Sequence, residues 1–352
     1  MLPSSLALIN HSAQGDAKSR ASAVGWWTAA GAIAIATGPI LGGFLLGLFG
    51  WRSVFLVNLP FCLLGAWLTT QVTETKRLPE GREFDGLGQI LIVLAVGGIT
   101  GAVIEAKPLG YSALTLAIAA VGISATLGLI LHERRAAAPM LPPAFFTSRT
   151  FNNAVGYGAI VNFTYYGVVF VLSLYLQRAL HYSPVEAGLA FLPLTATFFV
   201  TNLISGWWVG RAGSRRPMIF GALVAAAAYA LLGAVAGASV SYWKLGAAFV
   251  LIPLGMGLGV PAMTAAILGD VPKERAGTAS AILNSARQAA GAMGVAVFGA
   301  LAGEEPAHLV SGLRISALAA AIMLIGAMVL ARLIPRHANR PRPVGETSHW
   351  AR

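Results

Sequence analysis

The sequence predicts an all-α polytopic membrane protein, and three observations carry that prediction. Apolar residues make up 57% of the chain and charged residues 11%, against roughly 25% charged in ordinary soluble domains. Uncharged apolar runs of spanning length recur along the 352 residues. The Lys and Arg residues fall between those runs, and mostly on one side of them. In water such runs have nowhere to place their apolar surface; in lipid a helix satisfies its own backbone hydrogen bonds and is stable. Barrel strands are excluded by length, since the runs are Ala-, Leu- and Gly-rich and far longer than the roughly 9–11 residues of a membrane strand.

The N-terminal MLPSSLALIN is ten residues, too short to span and without the basic start of a signal peptide. It reads as the tail of a helix. Ala21–Phe49 follows, 29 positions without a charge; as a helix it would extend ~43 Å, against ~30 Å of hydrocarbon. Gly31, Gly38 and Gly42 recur on it, the last two as a G-x-x-x-G pair, and small residues on one face let a neighbouring helix approach. Pro39 removes a backbone donor and bends the run. Nine further spans are expected at Ser53–Thr70, Gly86–Ile104, Tyr111–Leu131, Thr150–Gln177, Ala187–Gly206, Pro217–Ser241, Leu245–Gly269, Ala276–Gly303 and Ile315–Ala331. The proline-containing stretch His132–Arg149 divides them, four spans before it and six after.

Alternating sides from the 10–20 loop, eighteen of the 24 Lys and Arg lie on the side of that loop and of the C-terminus. Five (Arg52, Lys107, Arg178, Lys244 and Arg314) lie on the other side, and Arg287 lies within a run. The positive-inside rule makes the first side cytoplasmic. The net charge of +11 is then a topology signal with some attraction to anionic lipid, and no nucleic-acid partner is expected. The single cysteine, Cys62, sits in an apolar run, so no internal disulfide can form. No His/Cys/Glu grouping has metal-ligand spacing, no Ser/His/Asp set is suggested and no phosphate-binding glycine loop follows a strand. The sequence thus points away from an enzyme, and to no cofactor and no metal.

Polar residues inside the spans are few, which makes them informative. Asn284, Arg287, Gln288 and Gly291 fall at i, i+3, i+4 and i+7, one face of a helix. Arg287 is 12 residues past Arg275, ~18 Å along the axis and near the bilayer midplane. A charge there costs at least ~2.5 kcal/mol on insertion scales, so it should face a polar cavity. Two readings stand: a substrate or coupling-pathway residue, or an arginine that caps carbonyls within the helix packing. Thr150–Gln177 carries Asn162, Tyr165, Tyr166 and Phe170 at near-helical spacing, the first three sharing a face by i+3 and i+4. Aromatic walls with a few hydrogen-bonding groups suit an amphipathic or cationic organic molecule; core or interfacial aromatics are the plainer reading. Asn58 is a weaker cavity candidate. Glu105, at the outer end of its span, reads as a headgroup-level carboxylate.

An internal repeat is visible. Leu2-Pro3 through Ile9 and Val260-Pro261 through Ile267 both place proline and isoleucine six apart, and both are followed by Lys-x-Arg-Ala, at Lys18 and Lys273. Parallel six-span halves would produce such a match. On that basis Pro3 lies late in a fourth span, and about 110 residues, nearly four helices, are expected before Met1 in a complete protein.

Several stretches carry a family resemblance. Gly25, Ala34, Gly38, Pro39, Gly42 and Gly43 are spaced as in the antiporter motif of the major facilitator superfamily, G-x8-G-x3-G-P-x2-G-G, with Ala34 as the one departure, and Trp51–Pro60 continues the likeness. Glu133-Arg134 with Pro139-Met-Leu-Pro, Tyr175-Leu-Gln177 with His181-Tyr-Ser-Pro184, and Arg275-Ala-Gly277 with Asn284 and Arg287-Gln288 resemble the central loop, an external loop and the penultimate helix of its 14-span EmrB/QacA-type drug:proton antiporters. Gly206, Gly210, Arg211, Gly213, Arg215 and Arg216 resemble the cytoplasmic gate motif G-x-x-x-D-R-x-G-R-R, with Gly210 in place of the acid and Ser214 in place of one arginine.

The resemblance implies a major facilitator fold lacking most of its first four helices. Residues 1–70 would be the remnant of an N-terminal bundle, 71–149 a central hairpin with its loops, 150–335 a C-terminal six-helix bundle and 336–352 a cytoplasmic tail. It implies export of lipophilic or cationic organic compounds in exchange for protons by alternating access, in a bacterial inner membrane. The partners would be a small lipophilic substrate, protons and membrane lipid. The family's proton-linked acid and its fourth-span arginine motif fall before Met1. Export of an endogenous metabolite, or a fragment that transports only with an adaptor or complementing chain, are the rival readings.

Overall fold

In a computed structural model the described residues are 34, 37–38, 40–71, 85–106, 112–136, 143–238, 240–271, 275–303 and 306–335. They are helical throughout, with short turns and no strand among them. In chain order the helices are α1 (Ile40–Phe49) and α2 (Trp51–Thr70), α3 (Gly86–Glu105) and α4 (Ala113–Arg135). After a single turn at Pro143–Phe146 come α5 (Arg149–Ala179) and α6 (Pro184–Ala212). The last four are α7 (Arg215–Val235), α8 (Tyr242–Asp270), α9 (Ala276–Ala302) and α10 (Pro306–Leu333). Gly25, Pro39, the 1–10 stub and the 336–352 tail lie outside the described residues.

Eight of these helices are long and apolar enough to cross a membrane: α2 to α8, and α10. With the matched family reported below, they make the chain an integral membrane protein. α9 has the length, 27 residues, but Arg287 and Gln288 lower its hydropathy below that of the others. α1 is short within the described residues.

Helix starts are written in the sequence as caps. Asp85 accepts from the Gly88 amide at 2.8 Å, Ser112 from Thr115 at 3.2 Å and Ser148 from Phe151 at 3.2 Å, each satisfying an amide that has no partner within its own helix. Ser183 and Glu186 form a reciprocal capping box with Pro184 in the first turn, so α6 begins three residues before the apolar run does. The Ser148 hydroxyl also donates to the Asp270 carboxylate, tying the start of α5 to the end of α8.

Two of the boundaries that differ from the apolar pattern share one reason. α7 stops at Val235, six residues before the expected end, and α10 starts at Pro306, nine before the expected beginning. The Arg314 guanidinium donates from Nε and Nη2 to the Ala236 carbonyl at 2.9 and 2.6 Å. The Tyr175 hydroxyl donates to the next carbonyl, Gly237, at 2.5 Å. Arg314 reads as a loop charge in the sequence; in the fold it is helical, and it faces the negative end of α7.

The core sits among α5 to α10. α5 packs on α8, α9 and α10, α7 on α8 and α10, and α6 on α8. Contact is close because the facing residues are small. A Cβ on Gly255 would collide with α7 at Gly221 and Ala225, and one on Gly259 with the Tyr157 ring of α5. Hydroxyls add to this seam: Thr201 donates to the Pro253 carbonyl at 3.1 Å and Ser205 to Leu258 at 2.6 Å, joining α6 to a helix carrying two internal prolines. Interhelical hydrogen bonds of this kind are one source of cohesion where lipid competes equally for apolar surface.

α3 and α4 form an antiparallel hairpin. Gly98 faces Gly122, and Gly128 faces Leu91. The hairpin meets the rest of the molecule through α3 on α9. α2 buries none of its residues.

Candidate functional site

The seam between α5 and α9 brings two helices into close contact and carries polar side chains midway along both. A Cβ on Gly294 would strike the Phe163 backbone, and one on Gly167 would stand 2.6 Å from the Gly294 carbonyl. About two turns away the backbones leave room for a long side chain. Gly158 of α5 has no Cβ, and the Arg287 Cγ of α9 lies 3.2 Å from where one would be. From there the guanidinium Nε donates to the Asn162 Oδ1 at 3.1 Å. Asn162 is buried, at 4% exposure. Arg287 is the twelfth residue of its 27-residue helix.

Around this pair the face opens. Tyr166 is 44% exposed; its ring lies over Gly291, and its hydroxyl is within electrostatic reach of the guanidinium. Asn284 is half-buried and Gln288 exposed, both within a turn of Arg287. Tyr165 packs edge-on to Tyr166 at 5.4 Å between ring centroids and lies 6.1 Å from Phe198 of α6. Of the residues singled out from sequence, the structure joins Asn162 to Arg287 and sets Tyr166 over Gly291 beside them; Asn284 and Gln288 stand within a turn of Arg287 on the same helix, and Tyr165 turns toward Phe198.

Asn58 is not among them. It is an exposed residue of α2 whose amide donates to the Val54 and Phe55 carbonyls of its own helix, at 3.2 and 3.3 Å. That bond braces the irregular turn in α2. Glu105 is the last residue of α3.

A mostly apolar cavity of about 350 Å³ adjoins the cluster. α5 lines it with Tyr165, Val169, Phe170, Ser173 and Gln177, α6 with Phe191 and Thr195, and α1 with Gly42, Gly43 and Leu46. Of the motif glycines on α1, Gly43 is held by contact, since a Cβ there would lie 2.6 Å from the Pro184 carbonyl at the start of α6. Gly38 and Gly42 have nothing within 4 Å of that position. Ser173, Gln177 and Thr195 were not read as lining residues from sequence. Ser173 and Gln177 carry a signal, the i+3 and i+4 continuation of the Asn162–Phe170 face, which runs on to the π-turn at Tyr175–Ala179; Thr195, on α6, carries none.

At the α6–α7 turn, Gly213 has φ 75°, a conformation that glycine adopts freely and other residues resist. Its amide closes α6 onto the Val209 carbonyl at 3.0 Å. The Arg211 guanidinium stacks 3.9 Å over Trp207, Arg215 is half-buried and Arg216 exposed. A Cβ at Gly206 or at Gly210 would meet nothing within 4 Å. Among the described residues, no group of three His, Cys, Asp or Glu could hold a metal ion.

Comparison with known proteins gives this geometry a context. Residues 1–295 match the family model described as Major Facilitator Superfamily. Multidrug resistance protein Stp of Mycobacterium tuberculosis is 34% identical over 306 residues, covering 84% of this chain and 55% of Stp. The methylenomycin A resistance protein of Streptomyces coelicolor is 32% identical over 344 residues, covering 96% of this chain and 71% of that protein. The tetracenomycin C resistance and export protein of Streptomyces glaucescens is 32% identical over 287 residues, covering 79% and 52%. The chain thus spans about half the length of Stp and of the tetracenomycin C protein.

Proposed function

Because the chain belongs to the major facilitator superfamily, we propose that it serves the export of small lipophilic organic compounds across a bacterial inner membrane, in exchange for protons, by alternating access. The observation that carries this reading is the open polar and aromatic face around Arg287, midway along the closely packed α5–α9 seam, with an apolar cavity beginning at the neighbouring Tyr165. The resistance and export names of the relatives support it.

Within this proposal, Asn162, Tyr165, Tyr166, Asn284, Arg287 and Gln288 line the substrate path. Of the antiporter-motif glycines, Gly43 closes against α6 at Pro184 and Gly42 lines the cavity. Gly206, Arg211, Gly213, Arg215 and Arg216 form a cytoplasmic gate at the α6–α7 turn. The division into 1–70, 71–149, 150–335 and 336–352, the 14-span subfamily and the cytoplasmic C-terminus belong to the same proposal. The test is reconstitution into liposomes with a lipophilic dye and an imposed pH gradient. Dye movement that follows the gradient is expected; movement indifferent to it would remove proton coupling.

A second reading is favoured by α2, none of whose residues is buried. In it the chain transports only when further helices, in an adaptor or complementing chain, pack on α1 and α2. Dye movement by the purified chain alone would end that reading.

A further inference from the structure

We propose that the α5–α9 site selects organic anions: it takes an amphipathic molecule whose carboxylate, or similar acidic group, lies against Arg287 while its apolar body rests over Tyr166. The proposal rests on the export reading for the site's role in transport, but its charge selectivity can be measured by binding alone.

The argument starts from the sign of the charge inside the spans. None of the 13 Asp and Glu residues lies within the ten apolar runs. The described ones stand at helix ends. Asp85 caps α3, Glu105 ends it, Glu133 is in the last turn of α4, Glu186 is in the first turn of α6 and Asp270 ends α8. Arg287 is therefore the only ionisable Asp, Glu, Lys or Arg at mid-depth among the described residues outside these ends and Arg314, which is spent on the Ala236 carbonyl.

The partner of Arg287 is neutral. Asn162 accepts one hydrogen bond, from Nε. The two Nη groups carry the remaining N–H donors of the fork, and they make no hydrogen bond among the described residues. Their planar geometry matches a carboxylate in a bidentate pair, which is stronger than a neutral hydrogen bond. Asn284, Gln288 and the Tyr166 hydroxyl offer further donors on the same open face.

A cationic ligand meets the opposite situation. Aromatic faces attract cations, but a guanidinium beside the same rings repels them, and in a poorly screened site the full-charge interaction outweighs the ring quadrupole. A neutral lipophile gains the aromatic wall and leaves the fork unpaired. The arrangement ranks ligands as anion, then neutral, then cation. The competing explanation is that Arg287 and Asn162 only lock α5 to α9, in which case ligand charge is irrelevant.

The test uses the full chain in lipid nanodiscs and three probes on one scaffold: pyrenebutyrate, pyrenebutanol and pyrenebutyl-trimethylammonium. Binding is read by pyrene fluorescence. The carboxylate is expected to bind about tenfold or more tighter than the alcohol, and the ammonium more weakly than either. Arg287→Gln should bring the carboxylate to within about twofold of the alcohol, while Arg287→Lys keeps part of the preference because the charge remains. Asn162→Asp, which neutralises the guanidinium in place, should erase the preference too, and it serves if Arg287→Gln fails to fold.

Equal or tighter binding of the ammonium overturns the proposal. So does equal binding of all three probes, binding of none, or an equal loss for all three in Arg287→Gln. Transport of the same probes under a pH gradient separates the two readings. If the preference holds in binding but nothing crosses, export fails alone; if probes cross without charge preference, anion selection fails alone.

Discussion

Asn162 shows at the scale of one residue how polarity is tolerated at mid-depth. Its carbonyl oxygen is the acceptor for a guanidinium 125 positions further along the chain. Asn162→Leu removes that acceptor and leaves a buried donor unpaired, a loss of about 1–3 kcal/mol. A lower thermal midpoint in detergent is the expected reading, and an unchanged midpoint would show that the bond is dispensable. Glycines divide the same way. Gly294→Leu should cost about 1–3 kcal/mol by driving its side chain into the Phe163 backbone. Gly206→Ala should be neutral within about 0.5 kcal/mol, because nothing stands where its Cβ would go. Arg287 and Asn162 were legible as candidates because a lone polar residue in an apolar run is conspicuous. Their pairing was not legible, since residue spacing within one helix is silent about which other helix faces it.

At the scale of elements, the α3–α4 hairpin carries a device that its apolar pattern hides. Asp85 caps α3 through the Gly88 amide, and its Oδ1 is also 2.8 Å from the His132 Nε2 near the end of α4. The Gly88 amide above all, helped by His132, holds the Asp85 carboxyl below its ordinary value of 3.8, against a smaller opposing effect of burial. A depressed folded-state value means the stabilisation is present above the unfolded value and is lost as pH falls through the folded one. Protection of the amides at the start of α3, relative to their intrinsic exchange rate, should therefore fall below pH 3.8, and Asp85→Asn, which still caps, should flatten that dependence. Protection in the wild type that does not change with acid would show that the clamp contributes nothing. The hairpin itself was readable as two apolar runs. The limits of α7 and α10 were not, because Arg314 completes its contacts on another helix.

At the scale of the whole molecule, the distribution of Lys and Arg makes a claim about sides. With Cys62 replaced by alanine, a cysteine at Arg216 should react with a membrane-impermeant maleimide only from the cytoplasmic face of vesicles, and one at His181 only from the opposite face. Labelling of both from one side would undo the orientation, and with it the gate assigned to the α6–α7 turn. α2 is the element whose surroundings matter most at this scale: its 0% burial leaves its environment to lipid or to further helices.

Run length and the placement of charge are enough to imply a lipid solvent and helical spans. Long uncharged runs are stable only where lipid surrounds them, and only as helices, because no water is present to satisfy the backbone. Charge between the runs set the expected orientation by the same electrostatics. The tertiary structure alone decided which helices touch, which glycines are needed for contact, and that Arg287 rests on a neutral asparagine with its fork free. The reason is physical: a span's apolar pattern records that it faces lipid or protein, but both are equally apolar, so the choice of neighbour is made by shape and hydrogen bonds between residues far apart in the chain.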